Sequence, residues 1–400
     1  MQFNLATTSV IPRGVWVLGF VSLLMDISSE MIHSLLPVYL VTVMGASALL
    51  VGVIEGVAES TTMVVKVFSG ALSDYLGKRK ALAVFGYGLG AISKPFFAMA
   101  GSTGMVFGAR FVDRVGKGIR GAPRDALVAD LVRPEARGAA YGLRQSLDTM
   151  GAFSGPLLAV GLMLLWANDF RAVFWVAVIP AVLAVALLYF GVAEPEKASE
   201  RGARAPINWR MFRSLGRDYW WVVGIGGAFA LARFSEAFLV LRVQQAGLSV
   251  AWAPLVLIVM NLVFALSAYP FGTLSDRISH TRLLFLGLAA LVVADLFLAL
   301  GESWQALLPG ILLWGLHMGI TQGLLSTMVA ATAPAGLRGT AFGVFSLVGG
   351  LTTLVASVLA GWLWDSWGAA FPFYAGAFFA AAAMVLIVMN KENSNARATG

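Results

Sequence analysis

The chain has 400 residues, of which 59% are hydrophobic and only 12% are charged. Its mean hydropathy is +0.81. A soluble protein this apolar could not cover its surface with polar groups, so lipid must be the solvent for most of the chain. The absence of cysteine excludes disulfides and thiolate metal sites, and with three histidines no metal site is expected. The net charge of +7 would be compatible with a nucleic-acid partner, depending on where the cations lie.

Twelve apolar segments follow one another along the chain, each close to the roughly 20 residues that cross a bilayer. Arg13 precedes the first segment, which carries Asp26 and Glu30 and is too long and too charged for a cleaved signal peptide. The composition and these segments predict an all-α membrane protein of twelve transmembrane helices. The predicted helices are 14–42, 47–73, 81–100, 104–128, 138–166, 172–193, 219–245, 250–273, 282–301, 304–332, 339–364 and 370–390.

One long hydrophilic stretch, Glu194–Asp218, interrupts the apolar segments near the middle of the chain and carries six Lys or Arg. Six predicted helices precede it and six follow it. We therefore predict an N-terminal six-helix bundle over 1–193, a cytoplasmic linker over 194–218, and a C-terminal six-helix bundle with a short cytoplasmic tail over 219–400.

Lysine and arginine lie almost wholly on one side of this topology. With the N-terminus inside, the cytoplasmic segments hold seventeen Lys or Arg, and the outside loops hold only Arg171. Cytoplasmic loops of membrane proteins carry such an excess of cations. The sequence thus predicts a multi-pass protein of the cell inner membrane with both termini cytoplasmic. Because topology explains the positive charge, no nucleic-acid partner is expected.

Two short segments recur in the second half of the chain, both about 200 residues later. Gly70-Ala-Leu-Ser-Asp74 returns as Gly272-Thr-Leu-Ser-Asp276, and Arg137-Gly-Ala-Ala-Tyr-Gly returns as Arg338-Gly-Thr-Ala-Phe-Gly. Two matches at nearly one offset indicate a duplicated six-helix unit. The two bundles are therefore predicted to be pseudo-symmetric, with a substrate site between them and alternating access by rocking.

The first repeated segment resembles the signature of the loop between helices 2 and 3 of major facilitator superfamily transporters. Its second copy lacks the later glycine, having Ser279 in that place. The resemblance covers the whole chain and implies the twelve-helix fold of that family. The signature residues are Gly70, Asp74, Gly77, Lys78 and Arg79, with Gly272 and Asp276 in the second copy.

Two further motifs carry the resemblance. The fourth predicted helix is similar to the family's Arg-x-x-Gln-Gly-x-Gly pattern from Arg110 onward, with Asp113 and Arg114 where Gln and Gly are expected. The fifth has most of the motif associated with proton-driven antiporters, although Ala159 and Val160 replace its terminal glycines, and this favours export. The matching residues of the fifth helix are Gly142, Gly151, Gly155 and Pro156.

The resemblance also implies roles for these motifs. Asp74 would be a gating latch at the N-terminal end of the eleventh predicted helix, where free N–H groups carry partial positive charge. Positive-inside topology alone would account for Lys78 and Arg79 but not for the acid or its copy Asp276. For the glycines and the proline of the fifth helix, close helix packing is as good an explanation as a role in antiport.

Charged residues inside the predicted helices are the main evidence for a site. Each costs roughly 2.5–3.5 kcal/mol at the bilayer centre on insertion scales, so a functional site or a neutralising network is expected. These charged residues recur at helical spacing. The predicted helices of the first half hold eight cations and seven anions. The proton or substrate candidates are Asp26, Glu30, His33, Glu55, Glu59, Arg110, Asp113, Arg114, Lys117, Arg120, Arg124, Arg144, Asp148, Arg233 and Glu236.

For several charged residues a structural role is equally open. Lys94, near the outer end of the third helix, is expected to extend to the membrane interface, and the same role is open for Arg110 and Arg124. Asp295, alone on the ninth helix, is interpreted as structural. For Asp26, Glu30, Glu55 and Glu59 a proton or substrate role and a structural ion network are equally supported, and Lys117 near mid-helix has the stronger claim.

The function predicted from these features is proton-coupled secondary transport, with efflux of a small organic molecule as the expected activity. The cationic fourth helix keeps import or export of an organic anion open as an alternative. A non-transporting membrane receptor or assembly factor is disfavoured, because the sequence shows no appended soluble domain or long loop. The partners expected are a small-molecule substrate and the lipid bilayer, with the protein as a monomer.

Enzymatic activity is not expected. The sequence has no phosphate-binding glycine loop of the Walker type, so ATP is not the predicted energy source. No cofactor is predicted, and the proton gradient would supply the energy.

Overall fold

The computed structural model describes residues 11–133, 136–194, 215–275, 277–334 and 337–398, and within these ranges all regular secondary structure is helical. We call the helices up to α7 the first half and those from α8 onward the second half. The first half contains α1 (Arg13–His33), α2 (Leu36–Thr42), α3 (Ala48–Leu76), α4 (Arg79–Met99), α5 (Thr103–Leu131), α6 (Arg137–Leu165) and α7 (Phe170–Gly191). The second half contains α8 (Arg217–Ala232), α9 (Ala237–Gln245), a 3-10 turn (Val250–Trp252), α10 (Leu255–Ser275), α11 (His280–Leu300), α12 (Trp304–Thr332), α13 (Arg338–Trp367) and α14 (Phe371–Ala398).

These helices form twelve membrane-spanning segments, which confirms the predicted fold class. Eleven of them, in the part of the chain that is described, have an 18-residue window apolar enough to cross a bilayer. The twelfth is α5, which is equally long at 29 residues but carries the densest set of charges. Its polar side chains can stay inside the membrane because neighbouring helices cover them.

Two predicted helices are interrupted, for different reasons. The first splits into α1 and α2 at Ser34, shortly before Pro37, whose ring cannot continue the helical hydrogen bonding behind it. The seventh splits between α8 and α9 at Arg233–Glu236 without any proline. There the backbone N–H of Ser235 donates to the hydroxyl of Ser357 on α13, 3.1 Å away, instead of to its own helix.

The helix directions define two sides of the bundle. We call the side where α7 ends and α8 begins the linker side, and the opposite side the distal side. α1 packs against α6 and α7, and α5 packs against α3 and α4. The two halves meet most extensively where α3 of the first half crosses α13 of the second.

The α3–α13 crossing is close because glycines line it. A Cβ on Gly52 would collide with the carbonyl oxygen of Ser357, and one on Gly350 would lie 3.2 Å from the Cβ of Met63. Small residues let helix backbones approach where the hydrophobic effect cannot drive association in lipid. The halves are thus held together along a seam that runs from the distal side toward the linker side.

Candidate functional site

The charged side chains of α1, α3 and α5 meet inside the first half. Arg110 on α5 donates from Nη2 to Glu55 Oε2 on α3 at 2.7 Å, and both side chains are at most 2% exposed. His33 on α1 lies with Nε2 3.5 Å from the same Glu55 oxygen and with Nδ1 3.3 Å from Glu30 Oε2. One buried carboxylate therefore connects three helices.

A second fully buried pair corrects two expectations. Lys94 on α4 does not extend to the membrane interface, since it is 1% exposed and donates to Asp113 Oδ1 at 2.8 Å and to Ser29 Oγ at 3.0 Å. Arg110 is likewise buried and paired. Both cations lie opposite an acid on a neighbouring helix, and an ion pair inside the bundle replaces the water that the interface would offer.

Arg114 and Arg120 extend this network along α5. Arg114 Nη1 lies 3.4 Å from Glu59 Oε1 on α3, and its Nε lies 3.7 Å from Asp113 Oδ2. The Arg120 guanidinium lies 4.8 Å from the centre of the Tyr87 ring on α4, a cation–π contact. Both arginines are almost fully buried, at 2% and 3% exposure.

Nearer the linker side, a second group of charges joins α5 and α6. Arg124 donates to Ser22 Oγ at 3.1 Å and lies 3.5 Å from Asp148 Oδ1. Arg144 lies 3.6 Å from the same Asp148 oxygen and 3.8 Å from Asp125 Oδ1. Arg124 also donates from Nε to Asp125 Oδ1 at 3.2 Å, and it does not extend to the interface as considered above, since its partners lie on α1, α5 and α6.

Asp26 and Lys117 stand outside this ion pairing, as Arg120 does. Among the described residues, neither Asp26 nor Lys117 has an oppositely charged partner within 4.0 Å, and both are partly exposed. Lys117 nevertheless interacts electrostatically with Asp26, Glu30 and Glu59, which places it among the acids of α1 and α3. The Asp26 carboxyl also faces that of Asp148 across the α1–α6 contact.

The second half contributes one pair of charges to this region. Arg233 and Glu236 pair at 3.8 Å across the break between α8 and α9. Glu236 interacts electrostatically with His33, Glu59 and Glu30 of the first half, so the break faces the acids of α1 and α3. Charged groups of both halves, all partly exposed, therefore lie near one another where the two halves meet.

Two other polar groups of the second half have structural surroundings. His317 lies with Nδ1 2.7 Å from the carbonyl oxygen of Gly287 and stacks on Phe229, with ring centroids 5.0 Å apart. Asp295 is fully buried, and neither of its carboxyl oxygens has a hydrogen-bond partner among the described residues. Neither residue joins the charged group of the first half.

The glycines of α6 divide into two kinds. A Cβ on Gly151 would lie 2.6 Å from the Leu23 carbonyl oxygen, and one on Gly155 would lie 2.8 Å from that of Ile27, so both permit close contact with α1. A Cβ on Gly142 would meet nothing within 4 Å, which corrects the expectation that Gly142 serves close packing. Pro156 lies inside α6 next to Gly155.

This division predicts different effects of adding one methyl group. Gly151→Ala should lower the stability of the folded protein by about 1–3 kcal/mol, because the α1 backbone cannot move away without disturbing Asp26. Gly142→Ala is the matched control and should leave stability unchanged or slightly higher. The measurement is the thermal unfolding midpoint of each variant in detergent, and equal midpoints for the two variants would contradict the packing role of Gly151.

The loop signature is described in part. Gly77 ends α3 with a φ of 63°, a conformation that favours glycine, and Arg79 pairs with Asp130 and donates to the Ala126 carbonyl. Lys78 is exposed. The side chain of Asp74 and the whole of Asp276 lie outside the described residues, so the latch stays a prediction. A Cβ on Gly70 would make only an ordinary contact and one on Gly272 none.

Some members of the network were not predicted. Ser22, Ser29 and Tyr87 each contact a buried cation, but an isolated serine or tyrosine in an apolar helix carries no signal of its own. Lys94 could have been recognised from its cost in lipid, which a buried acid on the next helix would remove.

Sequence comparison places the chain among known transporters. The profile described as the Major Facilitator Superfamily matches residues 18–351 and 237–399. An uncharacterised MFS-type transporter of Methanocaldococcus jannaschii is 31% identical, with 91% of this chain and 92% of the relative covered. The inner membrane transport protein YajR of Escherichia coli and the multidrug resistance protein MdtH of Edwardsiella ictaluri are each 26% identical, covering 95% and 88% of this chain and 84% and 87% of their own lengths.

Solved structures share the fold at lower identity. The nucleoside transporter NupG has a TM-score of 0.81 at 10% identity, with 94% of this chain and 99% of that chain covered. The human organic anion transporter MFSD10 has a TM-score of 0.66 at 19% identity, with the same coverage of 94% and 99%. Identities this low support the fold and leave the substrate open.

Proposed function

Because this chain belongs to the Major Facilitator Superfamily of secondary transporters and not to an enzyme family, we propose that it couples the efflux of a small organic molecule to proton entry. Membership accounts for a small-molecule substrate and for transport across a membrane. The proton, the direction and the chemical class of the substrate are the proposal. MdtH, a multidrug resistance protein, is a relative that favours efflux.

The observation that carries the proposal is the unequal pairing of charges in the first half. Glu55, Asp113 and Glu59 each have a cation close by, whereas Asp26 has none within 4.0 Å. Asp26 is also partly exposed, and its carboxyl lies near that of Asp148 on α6. An acid without a fixed partner is the one that can exchange a proton without breaking the network that holds the helices together.

Lys117 supplies the positive charge opposite the acid that exchanges the proton. Its ammonium group has no ion-pair partner within 4.0 Å in the described chain, yet it lies in the field of Asp26, Glu30 and Glu59. A substrate that enters this space changes the electrostatic surroundings of the acids. Protonation of one acid on one side of the membrane and its release on the other would then drive the halves between their two states.

The sidedness of the protein is also part of the proposal. We infer that the linker side is cytoplasmic, because the exposed cations Lys78, Arg133 and Arg277 lie there, whereas Arg171 lies on the distal side. YajR, a relative, is an inner membrane transport protein. Both termini would then be cytoplasmic, and the latch proposed for Asp74 would act on the cytoplasmic face.

The experiment that tests proton-coupled efflux uses everted membrane vesicles energised with a proton gradient and loaded with a pH-sensitive dye. A panel of organic cations, neutral compounds and organic anions is added in turn, and a substrate is recognised by dissipation of the gradient. Proton movement with at least one compound, absent in vesicles without the protein, is expected. Transport of a compound that is indifferent to the gradient would refute the coupling.

An organic anion is the second candidate, and the unpaired Lys117 favours it. In that case Lys117→Gln should raise the KM for an anionic substrate by roughly 10-fold or more, since one charge-assisted hydrogen bond is lost. Lys117→Arg keeps the charge, and its KM should lie between that of the unmodified protein and that of Lys117→Gln. Lys66→Gln is the matched control, because Lys66 is an exposed lysine on α3. An unchanged KM for the anion in Lys117→Gln would exclude direct binding there.

A further inference from the structure

One contact between the halves lies far from the charged group described above. The carboxylate of Asp365, near the end of α13, accepts hydrogen bonds from the backbone N–H groups of Ala48 and Leu49 at the start of α3. The distances are 3.0 Å from Ala48 N to Oδ1 and 2.8 Å from Leu49 N to Oδ2. Both carboxylate oxygens of Asp365, in the second half, thus accept hydrogen bonds from the first half.

The chemistry of a helix N-terminus explains the strength of this contact. The first N–H groups of α3 have no partner within their own helix and carry partial positive charge. The side chain of the N-cap residue Ser47 accepts a hydrogen bond only from the N–H of Leu50, at 3.2 Å. The N–H groups of Ala48 and Leu49 are therefore free to donate to Asp365. A charged acceptor makes shorter and stronger hydrogen bonds than a neutral one.

The position of the contact links it to the transport cycle. It lies on the distal side, where the α3 and α13 backbones touch: a Cβ on Gly361 would lie 2.5 Å from the Ala48 carbonyl oxygen. Alternating access requires the halves to separate on each side in turn. The two hydrogen bonds can form only while the distal side is closed, so they favour that state over the open one.

We propose that Asp365 is a positioning residue of the distal gate, which holds the transporter closed on that side by binding the N-terminus of α3. The gate acts on the conformational equilibrium and makes no contact with substrate. It is independent of which compound is transported and of which acid carries the proton. It also lies on the side opposite to the end of α3 at Leu76, so it is distinct from the loop signature that follows there.

The absence of cysteine allows a direct test by paired labels. Gly101→Cys and Glu302→Cys place spin labels on exposed distal loops of the two halves, and Gly138→Cys with Ser279→Cys do so on the linker side. New side chains at Gly101 and Gly138 meet nothing within 4 Å. Electron–electron distance measurements on each pair then report how far each side is open.

The expected result is a shift in both distances. Asp365→Ala should raise the ratio of distal-open to distal-closed molecules by roughly tenfold, with a matching closure of the linker-side pair. Asp169→Ala is the matched control: Asp169 lies on the same side and accepts from the N–H of Ala172 at 3.1 Å, but within one half. It should leave both distances as in the unmodified chain.

Unchanged distance distributions in Asp365→Ala would overturn the gate, as would an equal shift in Asp169→Ala. If Asp365→Ala does not yield folded protein, Asp365→Asn keeps the volume and removes the charge. The distal label pair in Asp365→Asn should then shift in the same direction, toward the open state, by a smaller factor than in Asp365→Ala. A distal pair in Asp365→Asn that matches the unmodified chain would equally overturn the proposal.

Discussion

Replacing Asp26 by asparagine is expected to abolish proton-driven transport and to leave substrate binding in place. The amide has nearly the shape of the carboxyl group but cannot take up or release a proton. Because Asp26 has no ion-pair partner within 4.0 Å in the described chain, its replacement leaves no buried cation unpaired, and the fold should persist. This separates a loss of coupling from a loss of structure.

The measurement compares two modes of transport in the same vesicles. Transport driven by a proton gradient should fall by at least about 100-fold, since the coupled step is lost, whereas exchange of labelled for unlabelled substrate without a gradient should continue. Glu302→Gln, in an exposed distal loop, is the control and should retain both modes. Gradient-driven transport at the unmodified rate in Asp26→Asn would assign the proton to another acid.

Removing Arg110 is expected to have the largest effect on stability. Arg110→Met leaves Glu55 buried at 1% exposure with only His33 nearby, at 3.5 Å. An uncompensated buried charge typically costs about 3–5 kcal/mol. The free energy of unfolding, measured with denaturant in detergent micelles, should fall by that order.

A double variant distinguishes the pair from either residue alone. Arg110→Met combined with Glu55→Gln removes both charges and should recover most of the lost stability, because no charge is left unpaired. Lys66→Met, at an exposed position on α3, should change stability by less than about 1 kcal/mol. If the double variant were no more stable than Arg110→Met, the Arg110–Glu55 ion pair would not be the source of the effect.

The order of the helices could be predicted from the sequence because it depends on local properties. Apolar length identifies the spans, and the excess of cations on one side identifies the predicted sidedness. The twelve-helix fold and the family are confirmed. The spacing of Asp26, Glu30 and His33 likewise places them on one face of α1, and the structure pairs His33 with Glu30. The domain bounds and the roles of the site residues remain predictions.

What each charged residue contacts was decided by the tertiary structure. Lys94 lies near a helix end, where an interfacial lysine is expected, yet it pairs with Asp113 on α5 and the pair is buried. Gly142 and Gly151 look alike in the sequence, but only Gly151 faces the α1 backbone. Helix spacing determines which face a residue occupies, whereas its partner depends on how neighbouring helices are rotated and shifted.

The same reasoning applies to the contacts between the halves. The break after α8 contains no proline, and it depends on Ser235 bonding to Ser357, 122 residues later. Asp365 appears in the sequence as an acid near the end of an apolar helix, and its partners, Ala48 and Leu49, carry no signal because they contribute backbone N–H groups. The spans, their order and the faces that carry charge could be predicted, because they follow from hydropathy and helical period, which are local properties. Which charges are paired, which are left free and where the two halves hold each other depend on atoms far apart in the chain, so these contacts are defined only once the helices have packed.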